Sequence, residues 1–283
     1  MKVIKFEFIN NENNITLLKD LNKNLGLNFI DVKKILRKKD VKVNGVRVSC
    51  DCNISNGDVI TCFMPFNIKI IYEDENILLV DKPKHLETIS TSNINSLYSQ
   101  LKQIYPYCEP CNRLDTNTTG INVFALNKES EKEILDAFKQ NRVIKKYYAV
   151  VSGNVADNAN LRDYLVKNKD NSTVKIYKDK QNNAVEVITE YKLIKKINDD
   201  LSLIEITLHT GKTHQIRAHL NFYGIYILGD EKYGNIEMNK KYNKHTQILI
   251  SHLIAFDFLA DSRLEYIKGK KFNLNLNLND FTF

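Results

Sequence analysis

Val41-Lys42-Val43-Asn44-Gly45-Val46-Arg47-Val48 alternates valine with charged residues about an Asn-Gly pair. Valine at a period of two fits a pleated strand, and Asn-Gly tolerates the positive φ that a two-residue connection needs. The segment therefore predicts a β-hairpin. Upstream, Asn28 fits a helix N-cap with Asp31 at the N3 position of a capping box. The helix it opens sets Val32, Ile35 and Leu36 on one side and Lys33, Lys34, Arg37 and Lys38 on the other. A second turn at Asn56-Gly57-Asp58 leads into a strand over 59–63. Residues 1–64 thus predict a small separate module, with 64–67 as a linker.

Beyond the linker the periodicity changes without the regular βαβ rhythm of a doubly wound sheet. Strands are predicted over 68–72, 77–80, 121–126, 143–151, 184–194, 202–209 and 247–258. Helices are predicted over 128–141, with Ile134, Leu135 and Phe138 inward, and over 213–222. The polar, Asn-rich stretch 156–183 predicts surface hairpins. Mixed strands with a few helices argue an α+β fold. At 283 residues and 43% hydrophobic content, the chain can bury the core of a second, larger domain over 65–283. Lys and Arg number 41 against 34 Asp and Glu, a net +7 that permits a polyanionic partner without demanding one. Glu7, Asn10 and Asn11 interrupt any apolar export segment, and no run reaches membrane-spanning length. The cysteines number 5, an odd count without an export signal, and are expected to be reduced thiols in a cytoplasmic protein.

Three segments of the larger domain concentrate chemically capable side chains. The first is Asn112-Arg113-Leu114-Asp115-Thr116-Asn117-Thr118-Thr119-Gly120, whose Asp and Thr residues would serve equally well as ordinary turn formers. The second is Lys145-Lys146-Tyr147-Tyr148-Ala149, where strand alternation sends the two tyrosines to opposite faces, one buried and one exposed. The third runs from Leu208-His209-Thr210-Gly211-Lys212-Thr213-His214-Gln215-Ile216-Arg217-Ala218-His219-Leu220 to Leu228-Gly229-Asp230-Glu231-Lys232-Tyr233-Gly234. There His214 and Arg217 share a helical face. His214 and His219 are spaced poorly for one face, so no metal site is expected. Cys108-Glu109-Pro110-Cys111 has no second pair at zinc spacing and is expected to be inert.

Taken together, these segments resemble the RluA-type pseudouridine synthases, which isomerise uridine to pseudouridine in RNA. The first resembles the family's HRLDxxTSG signature. The third resembles TGRTHQIRxHL followed by GDxxYG. Val80-Asp81-Lys82-Pro83 is similar to the strand and loop that precede them, and Leu249-Ile250-Ser251 with Phe256 loosely to a late LHA segment. The likeness covers roughly 68–260. The basic helix and hairpin resemble an S4 RNA-binding domain over roughly 13–64. The implied architecture is a small α/β S4-like domain ahead of an α+β catalytic domain with a mixed, mainly antiparallel sheet. The chain departs from the pattern at Asn112 for His, Lys212 for Arg, His85 for Gly and Ile250 for His.

The resemblance implies that Asp115 is the essential residue, that Arg217 pairs with it, and that Tyr147 stacks on a flipped uracil and exchanges protons. Arg113 would support the everted nucleotide or its phosphate, and Lys82 would contact phosphate. Lys33, Lys34, Arg37 and Lys38 would lie along the RNA backbone. Uracil can leave as an anion, so one committed carboxylate suffices where a glycosidase uses two. Attack on ribose, attack on the base and a glycal route all stay open. The implied substrate is structured RNA, 23S ribosomal RNA ahead of transfer RNA, acted on by a monomer with no cofactor. Two other classes fit parts of the pattern: a non-catalytic RNA-binding factor, and a nucleoside or glycoside hydrolase, which lacks its matched second carboxylate.

Overall fold

A computed structural model of the chain describes residues 2–168, 173–277, 279 and 281. It divides into two compact units, Met1–Ile68 with Leu86–Cys108 and Lys69–His85 with Glu109–Phe283.

The first unit contains β1 (Val3–Ile9), β2 (Ile15–Thr16), α1 (Leu17–Leu25), α2 (Phe29–Arg37), β3 (Val41–Val43), β4 (Val46–Val48), β5 (Asn53–Ile54), β6 (Val59–Pro65) and α3 (Leu97–Leu101). Asn28 caps α2 by accepting from the Asp31 N–H. Val32, Ile35 and Leu36 are buried, while Lys33, Lys34, Arg37 and Lys38 are exposed. Val41 pairs with Val48 and Val43 with Val46 across a two-residue turn in which Asn44 and Gly45 both have positive φ, 50° and 82°. That is the backbone the Asn-Gly pair favours. Strand β6 runs on to Pro65, so the expected linker begins later. The domain boundary expected after residue 64 also takes a different form, because Leu86–Cys108 return to this unit. Ile94 and Ile104 pack on its core of Ile4, Phe6, Leu17, Leu21 and Val41, and Asn95 Nδ2 donates to the Leu25 carbonyl at 3.0 Å.

The second unit contains β7 (Lys69–Glu73), β8 (Ile77–Lys82), β9 (Glu109–Pro110), β10 (Thr119–Ala125), α4 (Lys128–Lys139), β11 (Val143–Ser152), β12 (Asn158–Lys167), β13 (Val174–Tyr177), β14 (Val185–Lys196), β15 (Leu201–Leu208), α5 (Gln215–Phe222), β16 (Tyr226–Ile227), α6 (Ile236–Lys241), β17 (Leu249–Phe256) and β18 (Lys271–Asn273). Its sheet runs β13-β12-β14-β15-β11-β17-β10-β8-β7, with β16, β18 and β9 pairing at its sides. Pairing is antiparallel except between β10 and β17. The fold class is thus mixed and mostly antiparallel, with few helices, as expected. Strands β12 and β13 form a hairpin within the Asn-rich stretch, of which residues 169–172 lie outside the described residues. Helix α4 corrects one expectation: Leu135 is 42% exposed, and Ala137 joins Ile134 inside. Ile134, Ala137 and Phe138 lie three and four apart and share the face that meets the core, whereas Leu135 falls outside that face.

Two of the apolar clusters on this sheet bear on the site. One gathers Ile121, Val123, Ile134, Val143 and Phe256. The other gathers Leu114, Tyr147, Ala149, Ile206, Leu208, Ile216 and Leu220, joining α5, the loop before β10 and the centre of the sheet. This second cluster is the floor of the site.

Candidate active site

Residues 112–118 connect β9 to β10 and are braced on all sides. Asn112 Oδ1 accepts from the Val123 N–H at 2.8 Å and from Asn122 Nδ2 at 2.7 Å, so this departure from the family's His is spent on the strand edge. Leu114 is buried in the second cluster. The Thr118 N–H donates to the Asp115 carbonyl at 3.0 Å, closing the turn. Gln247 Nε2 donates to Thr118 Oγ1 at 2.6 Å. Gly120 then has φ 105°, and a Cβ there would stand 2.2 Å from the Ser251 carbonyl oxygen. Only glycine lets β10 approach β17 so closely, which fixes where the loop ends.

Arg217 lies on α5, one turn after Thr213-His214. Its Nε and Nη2 donate to the two carboxylate oxygens of Asp230 at 2.7 and 2.9 Å, and its Nη1 donates to Asp115 Oδ2 at 2.8 Å. One guanidinium is therefore shared by two carboxylates, in the planar fork geometry that suits it. The two carboxylates differ in access: Asp230 has 0% side-chain exposure and Asp115 has 25%. Burial alone would lower the Arg217 pKa, but Asp230 first and then Asp115 more than offset this and raise it. Burial pushes Asp230 up, yet Arg217 and the backbone N–H groups of Tyr233 and Lys232 outweigh it and hold the carboxyl below its ordinary range. The Tyr233 ring lies 5.1 Å from the guanidinium carbon, and its hydroxyl meets His214 Nδ1 at 3.0 Å.

Tyr147 rises from β11 on the same side. It is buried, with a hydrogen bond to Ser251 and the Asp115 charge nearby. Burial drives its pKa to about 12, the Ser251 bond opposes this and Asp115 adds to it, so the phenol keeps its proton at neutral pH. Tyr148 points to the opposite face, where it stacks on His252 with centroids 3.8 Å apart. It is half-buried there, less open than strand alternation alone suggested.

The structure thus brings Asp115, Tyr147 and Arg217 together, with Arg113 exposed two residues from Asp115. Lys82 is different and corrects its expected role. It is fully buried, and its Nζ donates to the carbonyls of Pro83 at 3.1 Å and Thr116 at 2.9 Å. A charge so enclosed braces the Asp115 loop and does not reach a phosphate. His85 follows with φ 61°, the left-handed backbone for which the family uses Gly. Lys33, Lys34 and Arg37 lie on α2 of the first unit, and Lys38 is the residue that caps its C-terminus. The three histidines of the third segment go to separate partners: His209 to Glu190, His214 to Tyr233, and His219 to Asp163 and Thr189. Cys108 and Cys111 are buried and not joined by a disulfide, and Cys111 Sγ donates to the Glu109 carbonyl at 3.6 Å. Sequence reasoning quoted Asp230 and Tyr233 in a motif but missed them as site residues; the motif itself was the available signal.

Chemically, the arrangement presents one solvent-reaching carboxylate, locked in orientation by a guanidinium, above an apolar floor bearing a protonated phenol. Such a carboxylate can act as a nucleophile or a base toward a group that reaches it from solvent.

Residues 76–222 match the family model for RNA pseudouridylate synthase. The chain is 33% identical over 276 residues to the ribosomal large subunit pseudouridine synthase C of Rickettsia felis, covering 87% of each protein. It is 32% identical over 299 residues to an RNA pseudouridine synthase of Mycoplasma capricolum, covering 94% of this chain and 95% of that one. Among solved structures, human RNA pseudouridylate synthase domain containing 1 superposes with a TM-score of 0.60 at 21% identity, over 77% of this chain and 95% of the other, a likeness of fold.

Proposed function

This chain belongs to the RNA pseudouridylate synthase family and is an isomerase of RNA uridines; from that premise we propose that it acts on large-subunit ribosomal RNA and that Asp115 carries the reaction. The choice of RNA is supported by the name of the Rickettsia felis relative. The choice of Asp115 is supported by one observation above the others. Arg217 is shared between a carboxylate with 0% exposure and one with 25%, so Asp115 is the member of the pair that a nucleotide can meet.

The isomerisation breaks N1–C1′, turns the uracil over and forms C5–C1′; the C5 proton is lost and N1 gains one. Asp115 is the nucleophile, or the group that assists sugar chemistry at C1′ and C2′. Arg217 holds the Asp115 carboxyl aimed through its Nη1 hydrogen bond. Tyr147 offers a ring for stacking and a phenolic proton. Arg113 steadies the everted nucleotide, whose extraction costs a few kcal/mol from a helix and less from a loop. In the first unit, we assign Lys33, Lys34, Arg37 and Lys38 of the S4-like module to the RNA backbone. Their support is an exposed basic helix face leading into a tight hairpin.

The test is Asp115→Asn on unmodified large-subunit ribosomal RNA, followed by mapping of pseudouridine. Product formation should fall by at least roughly a thousandfold while RNA binding persists. Full activity in the variant would remove Asp115 from the reaction, and release of free uracil by the native protein would make it a hydrolase.

A further inference from the structure

Lys145 stands two residues before Tyr147 on β11 and is used by none of the chemistry above. Alternate residues of a strand share a face. The buried face of β11 is Val143, Lys145, Tyr147, Ala149 and Val151, so Lys145 projects on the tyrosine's side, about 7 Å along the strand. It is 7% exposed. Its ammonium abuts the Gly211 backbone: the position a Cβ would take on Gly211 lies 3.6 Å from Lys145 Nζ. Gly211 belongs to the turn joining β15 to α5, the helix that carries Arg217. Among the described residues no hydrogen bond or ion pair engages the Lys145 ammonium. Its electrostatic neighbour is a second cation, the exposed Lys212 of the same turn.

This is an unusual way to bury a charge. A lysine enclosed by protein ordinarily finds a carboxylate or several carbonyls, because an unpaired buried ion costs several kcal/mol. The other enclosed lysine of this unit, Lys82, has such carbonyl partners. Lys145 has a like charge instead. Burial first, and then Lys212, push its pKa down to about 8, so the protein destabilises its charged form. An anion placed between the two ammoniums would reverse both effects at once.

We propose that Lys145 and Lys212 form a phosphate site, filled by one phosphodiester of the RNA strand next to the uridine held at Asp115. The inference rests on the reading of Asp115 as the reacting group and assigns the turn before α5 a second task, registering the strand. The amine lies against the β15–α5 turn at Gly211 and beside the exposed Lys212, a pairing of cations that suits an oxyanion.

The experiment compares the native protein with Lys145→Met and Lys145→Arg, using an unmodified large-subunit ribosomal RNA transcript as the probe. Affinity is measured against salt, and pseudouridine formation is measured in a single turnover at saturating enzyme. Lys145→Met should bind roughly threefold to tenfold more weakly at physiological salt. The slope of log affinity against log salt should drop by about 0.7–0.9, the signature of one lost phosphate contact. Lys145→Arg should keep the slope. Lys212→Met, a change at an exposed side chain that poses no threat to folding, should lower the slope in the same way. Unchanged affinity and slope in Lys145→Met would overturn the proposal. So would a loss of single-turnover rate with affinity intact, since the amine would then serve the reacting atoms. Failure of the Asp115 reading shows elsewhere, as persistent product in Asp115→Asn, and leaves the salt slopes readable.

Discussion

Arg217 gives three N–H donors to two carboxylates, and that division decides what a substitution there does. A lysine ammonium is a single point of charge and cannot span Asp230 and Asp115 in one plane. It would settle on the buried Asp230 and leave Asp115 loosely aimed. Arg217→Lys is therefore expected to lower pseudouridine formation by roughly a hundredfold or more, with RNA affinity little changed, measured by single-turnover kinetics and binding. Asp230→Asn attacks the other side of the pair. It leaves a buried guanidinium half-compensated and should cost on the order of 3 kcal/mol in urea unfolding. His252 offers a residue-scale reading of pH. Burial pushes its pKa to about 4, against an ordinary value near 6.5, despite the opposing pull of Glu205. The unfolded chain therefore takes up the proton first as acid is added. The stability tied to neutral His252 is complete above about pH 6.5 and is lost as pH falls toward 4, a loss on the order of 3 kcal/mol. Unfolding free energy followed from pH 7 to pH 4 should show this decline, and His252→Gln should flatten it.

At the scale of elements, α5 is a helix of 8 residues, too short to be stable alone, and its left-handed N-cap His214 makes no side-chain cap bond. A polar lattice holds it in place. Gln215 Oε1 accepts from Thr210 Oγ1 at 2.9 Å and from the Lys212 N–H at 3.1 Å, while its Nε2 donates to Thr189 Oγ1 at 3.0 Å. His219 bridges Thr189 and the buried Asp163, which also accepts from the Tyr223 hydroxyl at 2.6 Å. Gln215→Ala would strand several buried groups and should cost about 2–3 kcal/mol in thermal or urea unfolding, with Arg217 losing its aim and turnover falling too. Little of this lattice is legible in the sequence, because Gln215, Thr189 and Asp163 come from three distant segments. Local signals fared better. The Asn44-Gly45 turn is written in two residues, and the alternation of β11 correctly separates Tyr147 from Tyr148. Helix α1 had readable cues that went unused: Leu17, Leu21 and Leu25 at helical spacing, Thr16 as N-cap and Gly26 as C-cap. Leu135 was placed wrongly because it adjoins Ile134 in sequence, yet consecutive helical residues do not share a face, and only the packing partner decides which of the two is covered. The Asp115–Arg217 contact was expected only through the family motif. Nothing in spacing joins Asp230 to either.

For the whole molecule, the return of Leu86–Cys108 to the first unit changes what counts as a module. A fragment cut after residue 68 would lack Ile94, Ile104 and the Asn95 bond to Leu25, and so part of its own core cover. Such a fragment should unfold at lower temperature than the same unit within the full chain. The net charge of +7 is modest for an RNA enzyme, so affinity must come from local concentrations of charge, and α2 carries the densest. Replacing Lys33, Lys34, Arg37 and Lys38 with glutamine in the full chain removes the four charges proposed to meet phosphates and alters only exposed side chains. The four side chains are exposed, so the thermal unfolding midpoint should hold. Affinity for ribosomal RNA should weaken at every sequence tested, and the salt slope should flatten by as much as about 3. Half-maximal pseudouridine formation should then require correspondingly more RNA. A variant with native affinity and native slope would show that the basic helix faces solvent alone, and would return the burden of RNA capture to the unit that holds Asp115.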